Sequence, residues 1–177
     1  MPEFIDGLPL HPLLVHGVVV LVPLAALGAI LVSVWAKARH RIGWIVFALA
    51  AVASIMVPLA VNTGEALERK LPADNPLIER HASLGDDLLI FVLPMALGLL
   101  ALLVIERVVS QQGRAVRGTA PGGPTLTTGV PTWAKIGAIA AIVVTVAFSA
   151  GSLVQVYRIG EAGSRAVWDG IEDLPSR

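Results

Sequence analysis

The chain has no cysteine and few charged residues, and both absences restrict what it can be. Without cysteine it cannot form a disulfide, a thiolate-held zinc or iron–sulfur centre, or a covalently attached c-type haem. Charged residues make up only 15% of the 177 residues, whereas soluble domains carry about 25%. Hydrophobic residues reach 55% and the mean hydropathy is +0.78, which is the composition of a membrane protein. The formal net charge of 0 gives no basis for nucleic-acid binding.

Four apolar runs contain no Asp, Glu, Lys or Arg, and they cover residues 13–35, 42–61, 88–105 and 136–156. Each has about 18–23 residues, the length with which a helix crosses a hydrocarbon core of roughly 30 Å. We predict an all-α, four-helix transmembrane bundle that uses residues 1–177 as a single integral membrane domain. The predicted helices span about 13–35, 42–61, 76–108 and 133–157.

The charges of the connecting segments predict the orientation in the membrane. The first connection carries Lys37, Arg39 and Arg41 without an acid, whereas residues 62–87 carry six acids and three bases. Lys and Arg flanking short loops mark the cytoplasmic side, so both termini are predicted to face outward from the plasma membrane. Residues 111–132 are rich in Gly, Pro and Thr and are predicted to form a flexible cytoplasmic linker.

A weak internal repeat suggests two tandem helical hairpins. The strings LVPLAALG around Pro23 and VLPMALG around Pro94 resemble each other, as do the Gly-Glu-Ala triplets that begin at Gly64 and Gly160. Two hairpins related by an axis along the membrane normal would produce this pattern. Chance matches within a small apolar alphabet are the alternative.

Three of the four histidines lie near the predicted outer ends of the helices. His16 is the only one inside an apolar run, where an ionisable group is costly and indicates function. At about 1.5 Å per residue from the cytoplasmic ends, His11 is level with His81, and His16 lies about 7–8 Å deeper. Depth favours a pair of His11 and His81, whereas the low-dielectric position favours His16.

These histidines allow three interpretations. Two of them on facing helices are axial ligands of a b-type haem in the bundle core. Alternatively, His11, His16 and His81 bind Cu or Zn together with Glu65, Glu79 or Asp86. In the third, His16 bonds across helices to Asn62 or Thr63, and the protein is a cofactor-free scaffold or accessory subunit. No nucleophile–base arrangement is present, so an electron carrier or accessory subunit is favoured over an enzyme.

Cations near the outer ends of the helices also have two interpretations. A haem bound there would need partners for its propionates, and Arg80, Arg158 and Arg69 are available. The interpretation that the residues favour is that the same arginines are ordinary anchors at the membrane interface.

The string HPLLVHG at positions 11–17, a Thr-Gly at the exit of the second helix and an isolated histidine before the third resemble a known family. It is the bacterial membrane-protein family called domain of unknown function 2231, and the resemblance covers about residues 8–168. The helical core of that family is similar to units fused to c-type cytochrome or Rieske-type domains. The resemblance therefore implies electron transfer between the quinone pool and an extracytoplasmic redox partner, within a larger complex. It also implies that His11, His16 and His81 are candidate haem b ligands.

Overall fold

The fold was obtained as a computed structural model, which describes residues 4–5, 8–70, 75–118 and 130–168. A two-residue antiparallel pair, β1 (Phe4–Ile5) and β2 (Leu8–Pro9), precedes the helices. The helices are α1 (Leu10–Val34), α2 (Ala36–Glu68), α3 (Pro76–Asp86), α4 (Leu88–Gly118) and α5 (Thr132–Trp168). With α3 and α4 taken together, four helical spans in the described part of the chain are long and apolar enough to cross a membrane. The predicted four-helix, all-α transmembrane architecture is confirmed.

The helices extend beyond the apolar runs because the polar residues at their ends remain helical. The second helix was predicted over 42–61, but α2 runs for 33 residues through a segment rich in Ala, Lys, Arg and Glu, all strong helix formers. In the same way α4 continues to Gly118, so the first eight residues of the predicted linker are helical. Residues 119–129 of that linker lie outside the described residues.

The predicted third helix, 76–108, is divided at one residue. The Asn75 side chain accepts a hydrogen bond from the backbone N–H of Leu77 at 3.0 Å, and Pro76 occupies the first turn, so α3 begins at a standard cap. Asp87 ends α3 and precedes α4. Gly85, Asp86 and Asp87 are three residues of low helix propensity, which accounts for the interruption.

The four long helices form a ring in which each packs on two neighbours. α1 packs on α2 and α5, and α4 packs on α5 and α2, so α1 and α4 face each other diagonally. The short α3 lies against α5 and α2. Each long helix therefore packs both on its partner in the same hairpin and on one helix of the other hairpin.

Burial relates the two hairpins as approximate copies. Every buried residue of α1 has a buried counterpart in α4 that follows it by 70 residues, from Val18 and Leu88 to Ser33 and Leu103. Buried pairs also relate α2 to α5 at a separation of 99, among them Val46 with Thr145 and Thr63 with Ala162.

The sequence strings that first suggested the repeat are out of register with it. Pro23 and Pro94 are 71 residues apart, one too many, and the Gly-Glu-Ala triplets are 96 apart, three too few. The triplets have the same sequence but not the same surroundings, since Gly160 faces open space whereas Gly64 contacts a side chain of α1.

At one end of the bundle, which we call the arginine end, Arg39 of α2 bonds to two other helices. Both Nε and Nη2 of Arg39 lie 2.6 Å from Oε1 of Glu106 in α4. Its Nη1 donates to the carbonyl oxygens of Val32 and Ser33, at 2.8 and 2.9 Å, in the last turn of α1. One guanidinium thus joins three helices and satisfies carbonyls that a helix end leaves unpaired.

Candidate functional site: two equivalent histidines at one cavity

At the opposite end of the bundle, two histidines donate to backbone carbonyls of neighbouring helices. Nδ1 of His11, at the start of α1, lies 2.9 Å from the carbonyl oxygen of Ala60 in α2. Nδ1 of His81, in α3, lies 3.0 Å from the carbonyl oxygen of Ile159 in α5. Because a carbonyl can only accept, Nδ1 carries the proton in both rings. In the neutral imidazole the lone pair is then on Nε2.

A glycine allows each ring to reach its carbonyl. A Cβ on Gly64 would lie 2.9 Å from Cε1 of His11, and a Cβ on Gly163 would lie 2.9 Å from Nδ1 of His81. In both cases the glycine follows the accepting residue by four positions and lies one turn along the same helix face. Any larger residue would place its side chain in the space that the imidazole occupies. We call His11 with Ala60 and Gly64 site 1, and His81 with Ile159 and Gly163 site 2.

Sites 1 and 2 are the same structural unit in the two hairpins. His81 follows His11 by 70 residues, and both Ile159 and Gly163 follow their counterparts by 99, which are the separations that relate the buried cores. The resemblance therefore includes the side chain, its acceptor and the glycine that makes room for it.

Both histidines line one cavity of about 450 Å³ at this end, which we call the histidine end. The volume falls within the range of roughly 300–1,000 Å³ typical of small-molecule and cofactor sites. The wall is mainly apolar and includes Val15, Val18, Val57, Val156 and Ala166. Within the described part of the chain, neither Nε2 has a hydrogen-bond partner.

The sequence profile of the family described as predicted membrane protein DUF2231 matches residues 7–171. The chain belongs to this family. Comparison with curated proteins and with solved structures gave no significant match.

In this DUF2231 protein His16 is not equivalent to the other two histidines. It is exposed, and its Nδ1 bonds to the carbonyl oxygen of Pro12 one turn earlier in α1, although it also lines the cavity. Asn62 and Thr63, its predicted partners, bond to carbonyls of their own helix instead. His16 therefore makes no bond that joins helices among the described residues.

The charged residues of the cavity are acids. Among the described residues that line it, those that carry charge are Glu65, Glu68 and Asp86. Arg80 and Arg158 are exposed and are not part of the lining. Arg69 lies 4.0 Å from Glu65 and directly follows the lining residue Glu68 in the sequence, but it does not itself line the cavity.

No three-ligand metal cluster is formed in the described part of the chain by His, Cys, Asp or Glu. The fold brings His11 and His81 into equivalent positions, and His16 lines the same cavity without an equivalent bond to a neighbouring helix. The sequence placed His11 level with His81 and drew attention to Gly64, but it did not identify Ala60, Ile159 or Gly163 or connect Gly64 with His11. The separations of 70 and 99 residues connect the two sets, and they become visible only from the burial of the folded helices.

Proposed function

We propose that this DUF2231 protein binds a b-type haem between His11 and His81 and acts in membrane electron transfer. One observation carries the proposal: each ring donates from Nδ1 to a carbonyl and has an unpartnered Nε2 at a shared, mainly apolar cavity among the described residues. Histidines that ligate metals almost always donate their other ring N–H in this way, which fixes the tautomer and the ring orientation. Two imidazoles on facing helices of a bundle are an established form of haem ligation.

The residues around the cavity fit a largely apolar cofactor better than a free ion. The wall is mainly aliphatic and no third histidine, cysteine or carboxylate completes a metal cluster among the described residues. Because the charged lining residues are acids, the propionates would extend out of the cavity toward exposed arginines such as Arg69, Arg80 and Arg158. A bound haem would supply one-electron redox chemistry. The chain would hold it, orient both imidazoles and limit access of water.

The proposed place in electron transfer follows from the position of the cavity at one end of the bundle. The histidine end is the one that the positive-inside rule predicts to be extracytoplasmic. An electron could pass there between the quinone pool and an extracytoplasmic redox partner, with the protein as one component of a larger assembly. The apolar helices are consistent with an exchange within a lipid bilayer.

A cofactor-free scaffold is the second candidate function, and the same hydrogen bonds favour it. His11 ties α1 to α2 and His81 ties α3 to α5, and interhelical side-chain bonds of this kind contribute about 0.6–2 kcal/mol in membranes. In that case the bonds would stabilise the bundle and no ligand would be required.

Absorption spectra of the protein purified in mild detergent from haem-replete cells distinguish the two candidates. We expect a Soret band, sharp α and β bands after dithionite reduction, and about one haem per chain by pyridine haemochrome. His11→Ala and His81→Ala should each lose the reduced α band. The matched control is His16→Ala, which removes a histidine from the same wall and should retain the spectrum.

A colourless, folded wild-type protein would refute haem binding and leave the scaffold. Loss of the spectrum in His16→Ala with retention in His81→Ala would contradict the assignment of the ligands to sites 1 and 2.

A further inference from the structure

We propose that Thr63 makes the two histidines chemically unequal, because its hydroxyl competes with His11 for the Ala60 carbonyl. The inequality is a property of the chain itself. Its consequence for a bound haem rests on the proposed function.

In site 1, three hydrogen-bond donors compete for the carbonyl oxygen of Ala60. Nδ1 of His11 lies 2.9 Å from its oxygen, and Oγ1 of the buried Thr63 is also 2.9 Å away. The backbone N–H of Gly64 is the regular helical donor to the same oxygen. A carbonyl oxygen has two lone pairs, so three donors must share them. The Thr63 hydroxyl has the Leu59 carbonyl at 3.0 Å as its other acceptor.

Site 2 has no such competitor among the described residues. The counterpart of Thr63, 99 residues later, is Ala162, which is buried and has no hydroxyl. The oxygen of Ile159 therefore accepts only from His81 and from its helical N–H within the described part of the chain. The two histidines thus occupy equivalent positions but face acceptors of different strength.

This difference reaches the ligating atom of each ring. A stronger acceptor at Nδ1–H draws the proton away and makes Nε2 more basic. His81 is therefore the better electron donor at Nε2, and His11 the weaker one. Hydrogen bonding to axial ligands is one of the means by which a protein sets the reduction potential of haem iron, so Thr63 would raise the potential above that of two equal site 2 histidines.

The test moves the hydroxyl from one site to the other. Thr63→Val removes it at nearly constant volume, Ala162→Ser introduces one at site 2, and Thr63→Ser is the control that keeps it. The first measurement is NMR of 15N-histidine-labelled, ligand-free protein in detergent micelles. We expect Thr63→Val to move the His11 Nδ1–H proton downfield, toward a stronger hydrogen bond, and to leave His81 unchanged. Ala162→Ser should move the His81 proton upfield and leave His11 unchanged.

The second measurement is the midpoint potential of the haem-loaded protein. Thr63→Val should lower it, Ala162→Ser should raise it, and the double variant should return it toward the wild-type value. Thr63→Ser should match wild type in both measurements.

The outcomes separate this inference from the proposed function. An unchanged His11 resonance in folded Thr63→Val overturns the inference whether or not haem binds. A shifted resonance in a protein that takes up no haem supports the unequal histidines and refutes the haem proposal. If Thr63→Ser shifts the resonance as much as Thr63→Val, packing rather than the hydroxyl is the cause and the inference fails.

Discussion

The two ends of the bundle are held together by different side chains and join different sets of helices. At the histidine end the connection is made twice, by imidazoles that donate to carbonyls in both hairpins. At the arginine end it is made once, by a charged side chain that joins α1, α2 and α4. The counterparts of Arg39 and Glu106 in the other hairpin are Ala138 and Ala36, so this connection cannot be repeated.

The two ends of the bundle are expected to contribute differently, the arginine end to stability and the histidine end to the proposed function. The 22 residues from His11 to Ser33 place the two ends about 33 Å apart. The histidine end has two equivalent sites around one cavity, whereas the arginine end is asymmetric and its helices are joined by a single Arg39–Glu106 ion pair. Variants at the arginine end should therefore change stability, and variants at the histidine end should mainly change the hydrogen bonds of sites 1 and 2 and the proposed binding of a ligand there.

The largest effect on stability is expected for Arg39→Ala. Its side chain is only 11% exposed, and its removal leaves two α1 carbonyls without this donor and leaves Glu106, at 26% exposure, with only His40 at 4.0 Å. Because unpaired buried charges are costly, the free energy of unfolding in detergent should fall by about 2–3 kcal/mol. The His11 and His81 Nδ1–H resonances should not move, since distant sites act independently.

The control is Arg165→Ala, which removes an exposed ion pair to Glu161 one turn away. Exposed pairs contribute less than about 1 kcal/mol. Equal losses in the two variants, or a change in the histidine resonances of Arg39→Ala, would contradict the division between the two ends.

An intermediate effect is expected for Gly64→Ala and Gly163→Ala. Each new Cβ would meet an imidazole at 2.9 Å, and displacing the ring breaks its bond to the carbonyl. Overpacking and the lost bond cost about 1–3 kcal/mol, against a gain of about 1 kcal/mol from alanine in a helix. The free energy of unfolding should therefore fall by up to about 2 kcal/mol, and the Nδ1–H resonance of the affected histidine should be lost.

Gly160→Ala provides the control on the same helix as Gly163. Nothing lies within 4 Å of a Cβ at Gly160, so the variant should gain up to about 1 kcal/mol and keep both resonances. Retention of the His81 resonance in Gly163→Ala would show that the ring does not depend on the glycine.

The sequence was sufficient for the number of membrane helices and the position of their apolar spans, because uncharged runs of about 20 residues have few other solutions. It was not sufficient for their ends or for the register of the repeat. Helix ends depend on caps and propensities in polar segments such as 36–41 and 111–118. The register depends on which residues are buried, and Pro23 and Pro94 belong to a match of letters rather than of burial.

The candidate site was predictable only in part. Counting residues along the helices placed His11 and His81 at one level, and in the fold both line one cavity. Their acceptors, Ala60 and Ile159, are backbone atoms 49 and 78 residues away. No side-chain pattern encodes such partners, because they are fixed by how helices pack. His16 attracted attention by its depth, but it is exposed and bonds within its own turn.

The smallest expected effect is the difference between two equivalent variants, one at Gly28 in α1 and one at Gly98 in α4, which occupy the same position in the two hairpins. A Cβ at Gly28 would meet the two methyl groups of Val46 at 3.1 and 3.2 Å. A Cβ at Gly98 would meet Oγ1 of Thr145 at 2.7 Å and its backbone nitrogen at 3.2 Å. The Thr145 hydroxyl is held by a 2.7 Å bond to the Ala141 carbonyl, so it yields less readily than a methyl group.

We therefore expect Gly98→Ala to lose about 1–2 kcal/mol of unfolding free energy, and Gly28→Ala to change by less than about 1 kcal/mol. Unfolding of both variants in the same detergent measures the difference. A clear difference would mean that the second hairpin packs more tightly than the first at mid-bundle, so the asymmetry of the arginine end continues into the core. Equal values would confine that asymmetry to Arg39 and Glu106, and the core between the two ends would still behave as two copies of one hairpin.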